Sequence, residues 1–368
     1  MQHSFDVVII GGGIAGASLA YQLCREHRVL LLERETQAGY HATGRSAALF
    51  STTYGNDTIQ TLSRMSEAFF RCPPPGFCAA PLLQPRGALL IARHEQRDSL
   101  AARLGTPGTQ WLEGAALQEL VPVLRADTIA AGLYEPQASD VDVASLHEGF
   151  LRALRTRPDC RLCLESGVVA LESRADGWHV RTERASYVAP LLVNAAGAWA
   201  DELAALAGLR PGGLLPKKRT AAIVATNEPV PASQPMVIDV AESFYFKPDS
   251  GRVLLSPGDE SDTPPGDVWA DDLDVAVAVE RLEAATTLRV QRVVRAWAGL
   301  RTFSADRSPV VGFEPGRHDF FWFAGQGGYG IQTAPALARI AAYLLDPRLG
   351  EAPDAAMRAA LAPQRLGR

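Results

Sequence analysis

The chain has 368 residues, 47% of them hydrophobic, 21% charged and 7% aromatic, the composition of a globular protein rather than a disordered or fibrous one. That length exceeds what one hydrophobic core usually supports, so two structural units are expected. A formal charge of −5 supplies no field that would gather nucleic acid, and no nucleic-acid partner is expected.

The first 35 residues read as one βαβ unit. A β-branched run at Asp6 to Ile10 is followed by a glycine turn, a helical stretch from Ile14 to about His27, and a second apolar strand at Val29 to Leu32. The acid at Asp6 and the lack of a basic leading segment argue against a secretory signal. No stretch reaches the roughly 20 apolar residues of a membrane span. Further along, Leu89 to Ala92 has the pattern of a strand, Ala144 to Thr156 of a helix, and Trp178 to Arg181 and Leu191 to Asn194 of strands. Two apolar runs, Leu191 to Asn194 and Phe320 to Phe323, end in small residues, as strands facing a ligand do. If both join the first sheet, the nucleotide unit is discontinuous. It then takes residues 1–80, 140–210 and 296–368, and leaves 81–139 and 211–295 to a second unit.

Five cysteines are too sparse for a disulfide framework in a chain this long, which suits a reduced, cytoplasmic protein. Cys160 and Cys163 form a lone C-x-x-C; a redox pair or half of a zinc site has that spacing, but no second pair accompanies it, so a structural role and no metal are expected.

Gly11, Gly13 and Gly16 satisfy G-x-G-x-x-G between a strand and a helix. The first permits a tight turn, the second lets backbone approach a pyrophosphate, and the third lets the helix pack closely on the strand. Glu33 ends the second strand where a carboxylate would accept hydrogen bonds from a ribose diol. The fingerprint alone leaves NAD and FAD open. The run of small and hydroxyl residues from Gly39 to Ala48 favours FAD, since it suits backbone lying along a long extended cofactor.

These pieces, with Asp140-Val141-Asp142, Val193 to Trp199, Ala298 to Arg301 and Gln326 to Gln332, resemble the FAD-dependent amine and D-amino-acid oxidoreductases. That family includes glycine oxidase, sarcosine oxidase and D-amino acid dehydrogenases, and the likeness covers essentially the whole chain. Through Gly39 to Ala48 and the last two pieces the chain resembles that family's D-arginine dehydrogenases in particular.

The resemblance implies an α/β, Rossmann-like FAD-binding domain interleaved with an α+β substrate domain on a mixed sheet. It implies non-covalent FAD, with His41 unattached. Cofactor contacts are implied at Gly11, Gly13, Ile14, Ala15, Gly16, Glu33, Arg34, Ala42, Thr43, Gly44, Arg45, Ser46, Ala47, Ala48, Leu49, Val168 and Gly197. At the flavin ring they are implied at Gly327, Gly328, Tyr329, Gly330, Ile331 and Gln332. Arg219 and Arg301 stand where the family holds the substrate carboxylate, and Tyr54 and Tyr245 where it flanks the substrate, with Gly328 and Tyr329 nearby. These four, Arg219, Arg301, Tyr54 and Tyr245, are the expected catalytic residues.

Two positions depart from the D-arginine members. Ala88 replaces a glutamate that would meet a guanidinium, and Leu49 replaces a histidine. A cationic side chain would lack its countercharge there. Neutral, chiefly hydrophobic D-amino acids are therefore expected as substrates, oxidised to 2-oxo acids and ammonia. Related activities on glycine, sarcosine, other secondary amines or 2-hydroxy acids remain the alternative. No carboxylate or histidine is expected as a strong base at the site, and His147 and His179 are assigned to packing or surface roles. The electron acceptor, oxygen or a quinone, is left open, as is peripheral contact with the inner membrane.

Overall fold

The computed structural model describes residues 3–367. It is an α/β fold with mixed sheets, centred on a six-stranded sheet in the order Arg161–Cys163, Val29–Leu32, Val7–Ile10, Leu191–Asn194, Phe320–Ala324, Val310–Phe313. The first five strands run parallel and the last pairs antiparallel. Their near-continuous apolar runs suit strands covered on both faces. Val7, Ile9, Leu31, Val193, Phe321 and Phe323 pack with the helices Ile14–Leu23, Val143–Arg155 and Gly330–Leu345. The alternate residues Val8, Ile10, Leu30, Leu32, Leu192, Phe320 and Trp322 pack under a four-stranded sheet in the order His3–Ser4, Ser186–Ala189, Gly177–Thr182, Val168–Arg174.

The first helix ends at Leu23, short of the His27 expected from its pattern. Val29 must re-enter the sheet, so the chain reverses within five residues, and the amides of Glu26 and His27 both donate to the Leu23 carbonyl at 3.1 and 2.9 Å. Helix Val143–Arg155 starts on Asp142, whose carboxylate accepts from the Ser145 amide at 2.9 Å and its hydroxyl at 2.7 Å. Cys160 and Cys163 pack on opposite faces of the central sheet, the first near the His27 carbonyl and the second near the Tyr187 hydroxyl.

The second large sheet has nine strands. Eight follow the order Ser261–Asp262, Leu215–Thr226, Arg252–Ser256, Tyr245–Asp249, Met236–Asp239, Ala88–Arg93, Ile129–Glu135, Gln110–Leu112, and Val290–Phe303 pairs along the whole of Leu215–Thr226. Strand alternation gives this sheet two different faces. Leu89, Ile91, Ala222, Val224, Phe246 and Leu255 pack with the helices Gly114–Leu120 and Asp272–Ala285. Met236, Tyr245, Leu254, Ile223, Ile238 and Trp297 lie on the other side and meet Ala47 and Leu49, which follow the glycine turn's sheet in sequence. Arg219 and Arg301 share this second face, because Arg219 pairs with Gly299 and Lys217 with Arg301. Among the described residues no helix is long and apolar enough to cross a membrane.

Candidate active site

The C-terminal ends of the parallel strands open into a cavity of about 570 Å³, the position where open α/β sheets bind ligands. Gly11 has φ +111°, and a Cβ there would lie 2.3 Å from the Ala195 carbonyl oxygen. At Gly16 a Cβ would lie 1.9 Å from the Gly11 oxygen, so the helix can sit this close to the strand only without a side chain. Glu33 accepts from the Gly12 amide at 2.9 Å and the Glu35 amide at 3.0 Å, and Thr43 accepts from the Ile14 amide at 2.9 Å.

Gly11, Gly13, Ile14 and Ala15 line the start of this cavity, followed by Glu33, Arg34, Ala42, Thr43, Arg45, Ser46, Ala47, Val168 and Gly197. Gly327, Gly328, Gly330 and Ile331 line its far end. Gly16, Gly44, Ala48, Leu49, Tyr329 and Gln332 lie outside it. Gly16 is turned into the helix contact, and the Gly44 amide is turned back to Gly39 at 2.7 Å. Gln332 is occupied in tying two segments together: its amide donates to Ser63 at 3.0 Å and its oxygen accepts from the Ser51 amide at 3.3 Å. Tyr329 packs among Ile59, Phe303 and Tyr54.

Two contributors to this region escaped the sequence reading. Trp199 carries the Arg34 guanidinium 5.0 Å above its ring and packs against His41, whose Nε2 lies 2.9 Å from Glu35. His147 is not mere packing. Its Nε2 donates to the Gly12 carbonyl at 2.9 Å, and its ring fills the space beside Gly39. Burial lowers its pKa, so the neutral imidazole braces the glycine turn. A histidine inside the buried stripe Leu146, Phe150, Leu151, Leu154 was the available signal.

A second cavity of about 300 Å³ adjoins the first. Both are lined by Ser46, Ala47, Arg219, Tyr245, Arg301, Gly328 and Ile331. The second adds Ala88, Leu49, Leu90, Leu133, Met236 and Ile238 as apolar wall, with Tyr54 beside them.

The two arginines differ in state. Arg219 donates from Nε to the Asp259 carbonyl at 2.8 Å and from Nη2 to Glu260 at 3.1 Å. Arg301 faces both cavities, and among the described residues no side chain or carbonyl hydrogen-bonds its guanidinium. Gly328 makes room for it, since a Cβ there would sit 2.9 Å from Arg301 Nη1.

The two tyrosines are driven apart. Burial and then the Glu242 carboxylate push the Tyr54 phenol well above its ordinary pKa, and its hydroxyl donates to Glu242 at 3.2 Å. Burial also works upward on Tyr245, but Arg301, Arg219 and the Ser256 hydroxyl outweigh it and hold that phenol below the ordinary value.

Carboxylates do stand at the site, though both are engaged by hydrogen bonds. Glu242 and Glu135 both line the second cavity. Glu135 stands across the strand pair from Ala88, and it accepts from Ser51 at 2.6 Å, Thr53 at 2.7 Å and the Thr52 amide at 3.1 Å. Among the described residues no cluster of three His, Cys, Asp or Glu side chains is arranged to hold a metal ion.

A glycine turn on a helix N-terminus at the strand ends, with a cavity running from it to an adjoining pocket, describes a dinucleotide-binding protein with a second ligand site beside the cofactor. The chain belongs to the FAD dependent oxidoreductase family, whose family model matches residues 6–344. It is 30% identical to mitochondrial dimethylglycine dehydrogenase of Rattus norvegicus over 93% of this chain but 42% of that protein. The chain thus spans about two-fifths of the length of that relative. It is 27% identical to glycine oxidase of Geobacillus kaustophilus, with 94% of each chain covered. The crystal structure of glycine oxidase from Geobacillus kaustophilus superposes with a TM-score of 0.84 at 25% identity, over 98% of this chain and 99% of that one. L-proline dehydrogenase from P. horikoshii shares the fold, with a TM-score of 0.85 at 21% identity over 100% and 99% of the two chains. The cofactor is FAD, and the large cavity fits it: strand-end glycines clear the backbone approach, and Gly13, Ile14 and Ala15 bring the start of helix Ile14–Leu23, which favours a pyrophosphate's charge, to the cavity wall.

Proposed function

We propose that the protein oxidises α-amino acids with neutral, chiefly hydrophobic side chains and D configuration to 2-oxo acids and ammonia. The observation that carries this reading is Arg301, a guanidinium without a protein partner at the junction of the two cavities. A planar fork of that kind binds a carboxylate in two hydrogen bonds and fixes orientation as well as position. The bound FAD supplies a hydride acceptor.

The chain's own residues do the rest. Arg301 holds the substrate carboxylate, and Tyr245, its phenol eased by the two arginines, closes one side of the same pocket. Tyr54 stays protonated and presents a donor already engaged with Glu242. The amine gives its proton to water, the imino acid that leaves is hydrolysed, and catalysis is mainly the positioning of the α-carbon with water excluded. Glu135 is committed to the 51–53 segment and Glu242 accepts from Tyr54, so the apolar stretch of Ala88, Leu90, Leu133, Met236 and Ile238 is the wall offered to an uncharged side chain, in a pocket that Arg103 also lines.

A second reading, oxidation of glycine, sarcosine or another secondary amine, draws on the likeness to dimethylglycine dehydrogenase and glycine oxidase. Anaerobic mixing of the yellow protein with D- and L-amino acids, glycine, sarcosine and 2-hydroxy acids separates the two. Bleaching of the visible flavin band by neutral D-amino acids supports the first reading. Bleaching confined to glycine, sarcosine or another secondary amine replaces it with the second.

A further inference from the structure

We propose that Glu260 is a positioning residue that holds Arg219 back from the substrate, so that Arg301 is the arginine of the pair left to hydrogen-bond the carboxylate. This rests on the reading of Arg301 as the carboxylate clamp. Arg219 and Arg301 are diagonal neighbours on paired strands, on one face and at the same two cavities. Left alone, they would form a doubly charged patch able to take two carboxylates. Glu260 changes that count, since its Oε1 accepts from Arg219 Nη2 at 3.1 Å.

Glu260 is itself shared. Arg307 donates to its two carboxylate oxygens at 2.9 and 2.8 Å, so Arg219 and Arg307 compete for one negative charge. Arg307 is held for this task in an unusual state: its backbone is left-handed at φ +60°, and its guanidinium lies 4.1 Å from the Phe303 ring centre. Asp259 cannot replace Glu260, because its carboxylate is taken by the Thr220 amide and hydroxyl at 2.7 and 3.0 Å. The arrangement restrains Arg219 without silencing it, and it disfavours a substrate carrying a second carboxylate.

The test uses the FAD-loaded protein, titrated with propanoate and with malonate while the flavin spectrum is followed. Glu260→Gln keeps an acceptor for Arg219 and removes the charge. Propanoate should bind on the order of tenfold more tightly, and malonate should gain more than propanoate does. Arg307→Met leaves Glu260 wholly to Arg219 and should weaken propanoate several-fold, the opposite sign. In an Arg219→Met background the gain from Glu260→Gln should shrink to about threefold or less, the remainder coming from the direct attraction between Glu260 and Arg301, and an undiminished gain overturns the proposal. A purely structural Glu260 would give weaker binding in every variant, which overturns the proposal, as does unchanged affinity in Glu260→Gln. If Arg301→Met binds propanoate as the unmodified protein does, the clamp reading itself fails. If Arg301→Met abolishes binding but Glu260→Gln does not tighten it, only the role given to Glu260 fails.

Discussion

Arg301 and Gly328 form a pair in which one residue's missing side chain sets the other's position. Because a Cβ at 328 would fall 2.9 Å from Nη1, Gly328→Ala should displace the guanidinium while the backbone around it stays folded. KM should rise about tenfold, with a melting temperature close to the parent's. Arg301→Met removes the charged hydrogen bonds altogether and should raise KM on the order of a hundredfold. Steady-state kinetics with a reducing substrate, beside thermal unfolding, checks both. At this scale the sequence pointed to Arg301 through its Ala-Gly-Leu-Arg setting, but not to Arg219's commitment to Glu260, 41 residues away. Glu135 was hidden for a similar reason. Only strand register sets it opposite Ala88, and register is a property of the assembled sheet.

Helix Val143–Arg155 shows how one element serves both core and site. Its buried stripe packs under the central sheet, and its N-terminus depends on Asp142. Asp142→Ala should cost about 1 kcal/mol of unfolding free energy in urea titration. The same helix carries His147 to the glycine turn. Burial lowers the His147 pKa below the 6.5 of an unfolded imidazole, so the unfolded chain takes up a proton that the native chain refuses. The stabilising contribution is fully present above pH 6.5 and is lost as pH falls from there toward the lowered native value. Thermal unfolding between pH 8 and 5 should show that decline, and His147→Gln should flatten it. Four strands of the central sheet, Val7–Ile10, Val29–Leu32, Leu191–Asn194 and Phe320–Ala324, were legible because both of their faces are covered and their apolar runs are unbroken; Arg161–Cys163, which opens on a charged residue, and Val310–Phe313, which holds a glycine, were not. The end of the first helix was not, because a return turn rather than a change in pattern stops it.

On the scale of the whole molecule, the FAD cavity lies between the central sheet and the site face of the nine-stranded sheet. A ligand seated there holds the two together, so FAD at a thousand times its dissociation constant should add about 4 kcal/mol of stability. Comparing melting of the protein before and after removal of FAD measures this. Class and cofactor were readable from the βαβ start and the Gly39 to Ala48 run. The shape of the adjoining pocket was not, since its walls come from seven strands and the turns and helices around them.

The shared lining of the two cavities imposes a sequence of events. Arg301, Arg219, Tyr245 and Gly328 line both the flavin space and the smaller pocket. FAD seated in the larger cavity would share these residues with the amino-acid site and complete its wall. The expected order is cofactor first and carboxylate second. Propanoate should raise the melting temperature of the yellow protein and leave that of the colourless one where it was.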